Sequence, residues 1–260
     1  MTQRDAVMGA VRDASSVPEQ RVGNDSAAVR EVLGEAIGCT PFTLRVLRCV
    51  RGRSMQRQTG AADELLFVLE GQGTLLADDG RHELEPQSGV ALLAGSRYEL
   101  ENEHADDLVL VGVALHEPLA AAAGTAATTL SRLADAQAQS ATAARTFRIV
   151  FDPDGGCATA TQFVGYIPVG AAPTHYHLYD EVIYVLDGNG VMHMNGERTP
   201  LRTGSCIHLP ARKLHTLENS GPGVMRVLGV FRPAGSPAEA YYPDGTPAYA
   251  GEPATATASR

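Results

Sequence analysis

The chain has 260 residues, 44% hydrophobic and 20% charged, with 21 Lys and Arg against 30 Asp and Glu, a net charge of −9. That is the composition of a globular chain long enough for one large domain or two modest ones. The acidic balance makes nucleic acid and anionic membrane poor partners. No apolar run approaches the roughly 20 residues of a membrane helix, and "MTQRDAVMGAVRDASSVPEQ" lacks the apolar core of a secretion signal. The four cysteines (Cys39, Cys49, Cys157, Cys206) show no CxxC spacing and are too few for a disulfide scaffold. A cytoplasmic protein with buried, reduced thiols is expected.

Residues 1 to about 24 are small and polar without a period and read as a loose arm. "SAAVREVLGEAIG" then sets Val29, Val32, Leu33, Ala36 and Ile37 at helical spacing, with Asp25 or Ser26 as cap and Gly38 as terminator, so a short helix is expected over 26–37. From 42 to 116 short alternating runs such as "ELLFVLEG" and "DLVLVGVAL" are cut by glycine and acidic turns, the texture of antiparallel strands. Residues 117–145 form an alanine-rich connector in which Leu130, Leu133, Ala134 and Ala138 predict another short helix. Strand texture returns over 146–233, and the Pro, Ala, Thr and Gly after 245 read as loose. The expected units are therefore an arm (1–38), a first barrel (39–116), a connector (117–145), a second barrel (146–235) and a tail (236–260).

The two strand blocks repeat one another. "RQTGAADELLFVLEGQG" (57–73) matches "THYHLYDEVIYVLDGNG" (174–190) at an offset of 117, setting Gln58 on His175, Gly60 on His177 and Glu64 on Glu181. An offset of 115 then sets Gly89 on Gly204, Gly95 on Pro210 and Leu100 on His215. On this reading the first block offers Gln58, Gly60 and Leu100 where the second offers imidazoles.

Of eight histidines, five fall between 175 and 215: His175, His177, His193, His208 and His215. Side chains at i and i+2 of a strand share a face, so His175 and His177 aim at one point if that stretch is extended. Glu181 lies four residues on, and His215 comes from another strand. Three imidazoles and a carboxylate suit Fe(II), Mn(II), Zn, Ni or Co.

The ordered pattern resembles the two signature motifs of the cupin superfamily. It runs Gly170, His175, His177, Glu181, Gly188, then Gly204, Pro210, His215, Asn219. Two departures stand out: one residue fewer before His175, and Arg212 where the second motif usually has glycine. The resemblance covers both blocks and implies an all-β protein of two tandem jelly-roll barrels, a bicupin. It implies a divalent metal, Fe(II) or Mn(II) foremost, on His175, His177, Glu181 and His215 of the second barrel, with the first barrel metal-free. A quercetinase-like dioxygenase acting on a small oxygen-bearing molecule ranks first. A redox-neutral isomerase or lyase follows closely, and a non-catalytic binding protein comes third. Glu181, His193 and His208 are the candidate acid–base groups. Tyr166 is expected to line the pocket, Tyr184 to face away, and a homodimer is expected from pairing of edge strands.

Overall fold

The glycine- and acid-punctuated runs fold as strands throughout the computed structural model, which describes residues 8–116 and 128–248. The first half holds β1 (Ala10–Asp13), β2 (Ala27–Leu33), β3 (Phe42–Cys49), β4 (Gly52–Arg53), β5 (Arg57–Gln58) and β6 (Glu64–Glu70). There follow β7 (Gly73–Ala77), β8 (Gly80–Leu84), β9 (Ser88–Leu92), β10 (Arg97–Asn102) and β11 (Leu108–Leu115). The second half holds β12 (Thr129–Arg132), β13 (Gln139–Ser140), β14 (Thr146–Phe151), β15 (Thr161–Ile167), β16 (Gly170–Ala171) and β17 (Asp180–Asp187). It ends with β18 (Asn189–Met194), β19 (Glu197–Arg202), β20 (Ser205–Leu209), β21 (His215–Asn219) and β22 (Met225–Arg232).

Each half is a two-sheet antiparallel barrel. In the first, a sheet ordered β12-β9-β6-β11-β3-β2 faces one built on β4-β10-β7-β8. In the second, β1-β20-β17-β22-β15-β14-β13 faces β16-β21-β18-β19. Alternation sends the two faces of each large sheet to different cores. In β17, Ile183 and Val185 point into the second barrel while Val182 and Tyr184 join a layer shared with Leu65, Phe67, Val111 and Val113 of the first. That shared layer welds the barrels together; Tyr184 accordingly faces away from the barrel interior.

The strand register corrects the alignment of the repeats. Glu64 lies opposite Leu92 as Glu181 lies opposite Leu209. Tyr98 lies opposite Ala77 as His215 lies opposite Met194. Every such pair differs by 117, with no two-residue slip. Asn102 and Asn219 hold the same place too, each buried and donating its side-chain amide to two backbone carbonyls. The apparent match of Gly89 to Gly204 misleads because Gln87 makes the left-handed turn (φ 68°) that Gly204 makes in the second barrel (φ 88°). The residue in the place of His215 is therefore Tyr98, not Leu100.

Neither expected helix forms. Residues 27–33 pair with β3 as a strand, and only a 3-10 turn over Glu35–Ile37 follows, closed by Gly38 at φ 80°. Asp25 anchors this strand's start by accepting from the N–H of Ala27 and Met55 and from Arg57. The connector likewise supplies β12 and a 3-10 turn over Leu133–Asp135, while residues 117–127 lie outside the described residues. Both segments carry β-branched or leucine side chains that a sheet edge buries as readily as a helix face, and tertiary pairing decided between them.

Nor is the arm loose where it is described. β1 pairs with β20 of the second barrel, and β12 pairs with β9 of the first. The two repeats thus exchange their leading strands. The exchange is closed by Ala14 N–H to Gly204 O (2.9 Å) and, in the same place, Leu133 N–H to Gln87 O (3.1 Å).

Candidate metal centre

His175 and His215 sit opposite each other on neighbouring extended segments, exchanging backbone hydrogen bonds of 3.1 and 2.9 Å. Tyr176 makes the same exchange with Tyr241, so this stretch is extended and the side chains of His175 and His177 share a face. The three rings converge, with centroids 4.6 Å (His175–His215), 5.1 Å (His175–His177) and 5.2 Å (His177–His215) apart. One ligating atom from each lies within 4.8 Å of the other two. Among the described residues no other group of three or more His, Cys, Asp or Glu does this.

Backbone carbonyls fix the ring tautomers. His175 Nδ1 lies 2.8 Å from Pro173 O, His177 Nδ1 2.7 Å from Glu239 O, and His215 Nδ1 2.8 Å from Lys213 O. A carbonyl only accepts, so each Nδ1 carries the proton and each Nε2 keeps a lone pair. Desolvation lowers all three pKa values, that of His177 to about 4 with His175 adding to the effect, and that of His215 well below the ordinary range. Three neutral imidazoles with free Nε2 lone pairs fit a divalent ion.

Glu181 stands at the start of β17, buried, and lines the same pocket. Its carboxyl does not join the three-histidine group within 4.8 Å. Burial alone raises its pKa to about 8. One oxygen lies 3.0 Å from where a Cβ on Gly229 would be, and the Phe163 ring fills the rest of that space, so only glycine fits there.

The pocket is a partly open cleft. Its walls include Phe147, Phe163, Ile183, Leu209 and Val227, and Tyr166 lines it as expected. Sequence reasoning missed two contributors. Arg145, assigned to the connector, lines the pocket and donates Nη2–H to Leu217 O. The tail packs over the site through Pro237 and Ala240, and Glu239 O orients His177. His177 also stacks on Tyr179 (4.7 Å), which stacks on Phe231 (3.9 Å).

Two candidate acid–base histidines lie elsewhere. His193 alternates with the inward Met192 and Met194, so it faces outward, paired with Glu218 at 2.6 Å beside an open groove that also holds Arg212 and Lys213. His208 alternates with Ile207 and Leu209 of the barrel core, so it faces the layer between the barrels with Cys206. It is fully buried, and neither ring nitrogen has a hydrogen-bond partner. In the first barrel, Tyr98 occupies the place of His215 and donates to Glu64 at 3.1 Å.

Residues 162–231 match the family model for the Cupin domain. The second barrel is thus a cupin domain, and the fold of the whole chain is that of two such barrels in tandem. Over 64 residues the chain is 30% identical to the uncharacterized protein MJ1618 of Methanocaldococcus jannaschii, a match covering 24% of the chain and only about half (51%) of that relative. Its fold is similar to a Pseudomonas aeruginosa protein named for induction by glyoxylate (TM-score 0.72, 17% identity, 88% of this chain and 92% of that one). It is also similar to protein Ylba of E. coli (0.71, 10%, 88% and 93%). A third similar structure is the oxalate decarboxylase of Bacillus subtilis, studied for its Mn(II) centres (0.69, 12%, 90% and 79%). At these identities the structures share a fold, and function has to be argued from the site. The family match encloses all three histidines and Glu181, while Arg145 and Glu239 lie outside it.

Proposed function

We propose that the second barrel is the centre of a metal-dependent enzyme that carries out redox-neutral, proton-moving chemistry, a lyase or isomerase reaction, on a small molecule. The observation that carries this reading is one pocket holding three Nε2 lone pairs beside a separate, buried carboxyl. His175, His177 and His215 would hold the ion, Fe(II) or Mn(II) foremost, with Glu181 as fourth ligand or as neighbour. When bound, the ion supplies Lewis-acid polarisation of a substrate oxygen.

The chain's own residues supply the rest. Glu181, whose pKa burial raises to about 8 in the metal-free pocket, is the one carboxyl lining it and would serve as the acid–base group. Phe147, Phe163 and Val227 give the pocket an apolar wall. Neither His193 nor His208 enters this chemistry.

A dioxygenase is the second reading, because three imidazoles leave coordination positions for both substrate and dioxygen. Turnover of a panel of small carbonyl compounds by the metal-loaded protein, with dioxygen excluded, separates the two. Persistent turnover supports the lyase or isomerase reading, and turnover that requires oxygen uptake in proportion to product overturns it.

A further inference from the structure

Arg145 brings a positive charge into a pocket otherwise walled by neutral imidazoles, aromatic rings and aliphatic side chains. Among the described residues its side chain makes one hydrogen bond, to Leu217 O, and no ion pair. Burial lowers its pKa only to about 10, so it stays charged at neutral pH. Glu181 is the one carboxyl lining the pocket, and it forms no ion pair with Arg145. A guanidinium has five N–H donors in a planar fork, and a buried charge without a counter-ion is costly.

The turn that presents it is itself strained. β13 and β14 are joined through Ala143 (φ 56°) and Ala144 (φ 57°), two consecutive non-glycine residues in the left-handed region. The turn is closed by Ala141 N–H to Arg145 O (2.8 Å), and Ala141, Thr142 and Arg145 all line the pocket. This hairpin lines the pocket, and its arginine lies near enough to His175, His177 and His215 to disfavour their protonation.

We infer that the substrate is a small carboxylate whose anionic group is received by Arg145. This deepens the proposed function and rests on it for the chemistry, but the anion site stands on Arg145 itself. A planar carboxylate fits the fork side-on, and the apolar walls admit a short carbon skeleton.

Calorimetric titration of the full chain tests this, using glycolate, its neutral counterpart glycolamide, and inorganic phosphate. Each is titrated into chelator-treated and Mn(II)-loaded protein. Glycolate is expected to bind at least tenfold more tightly than glycolamide and phosphate. Arg145→Gln should remove that advantage, and Arg145→Lys, which keeps the charge, should retain part of it. Mn(II) stoichiometry should be unchanged in both variants. Equal binding of glycolate and glycolamide, equal glycolate binding by wild type and Arg145→Gln, or no glycolate binding in either wild-type form overturns the inference. Tighter phosphate than glycolate overturns the carboxylate assignment. If Arg145→Gln does not fold, wild-type-like glycolate affinity in Arg145→Ala or undiminished glycolamide binding overturns it instead. Failure of wild type to bind Mn(II) sinks the metal reading alone, because the chelated arm still reports on Arg145.

Discussion

Each of the three site histidines gives its Nδ1–H to a carbonyl, two from its own neighbourhood and one, for His177, from Glu239 in the tail. The pairing of Nδ1 with an acceptor leaves Nε2 for an ion, and it reads directly on pH. Glu181 has a folded pKa of about 8 against an ordinary 4.5, so the metal-free fold favours its protonated form. Its contribution to stability is complete below about pH 4.5 and is lost as pH rises through 8. His177, lowered from 6.5 to about 4, runs the other way: its contribution is complete above 6.5 and lost as pH falls through 4. If Glu181 is the fourth ligand, Mn(II) binding at pH 7 should release close to one proton, since about nine carboxyls in ten are protonated at one unit below the pKa. Calorimetry in buffers of different ionisation enthalpy measures this, and Glu181→Gln should release none.

Arg212 shows how a departure from a family pattern is read physically. It adopts φ 64°, where Gly95 of the first barrel takes φ 81°. The glycine that the motif usually has there meets a left-handed backbone, and arginine tolerates it at a cost. Arg212→Gly should stabilise the protein by about 1 kcal/mol, roughly 2–4 °C in Tm by thermal denaturation. The same scale shows what was legible. His175, His177 and His215 were readable from i, i+2 spacing and ordered motifs, and they do converge. Arg145 was not, because nothing in "TAAR" distinguishes a guanidinium folded over a pocket from one in solvent. His193 and His208 were separated from the site by strand alternation, whose phase no single histidine reveals.

At the scale of elements, β1 carries the largest difference from expectation. A polar segment without period becomes an edge strand of the second barrel because β20 offers an open ladder to pair with. The attachment includes Arg202 Nε–H to Asp13 at 2.5 Å and partial packing of Val11 on the barrel core. Deleting residues 1–13 should raise amide hydrogen exchange across Ser205–Leu209 by orders of magnitude while leaving Ser88–Leu92 protected. Equal exchange before and after deletion would mean the arm is dispensable. The sequence suggested strand blocks and turns correctly, since glycine turns and alternation are local signals. It could not reveal the exchange of leading strands, which depends on what lies across the molecule.

For the whole molecule, the layer between the barrels is the main structural weld, and it buries polar side chains without partners, Gln162 and His208 among them. His208 is fully buried there with neither nitrogen satisfied, where the equivalent position in the first barrel is Ala91, also within the shared layer. An unsatisfied buried polar group costs about 1–3 kcal/mol. His208→Leu should therefore raise Tm and leave Mn(II) binding unchanged, whereas a histidine acting in the site would lose function on that change. The two barrels divide the labour: in the first, Tyr98 donates to Glu64 inside a core of leucines, and in the second, the matching His215 joins two other imidazoles.

The central claim is that these three imidazoles hold a divalent ion, and metal analysis of purified wild type and His177→Ala after Mn(II) loading tests it most directly. One ion per wild-type chain is predicted, with affinity in a folded variant reduced by at least the ~10–100-fold seen when only the groups orienting a ligand are changed. Equal, sub-stoichiometric metal in the two proteins would contradict it.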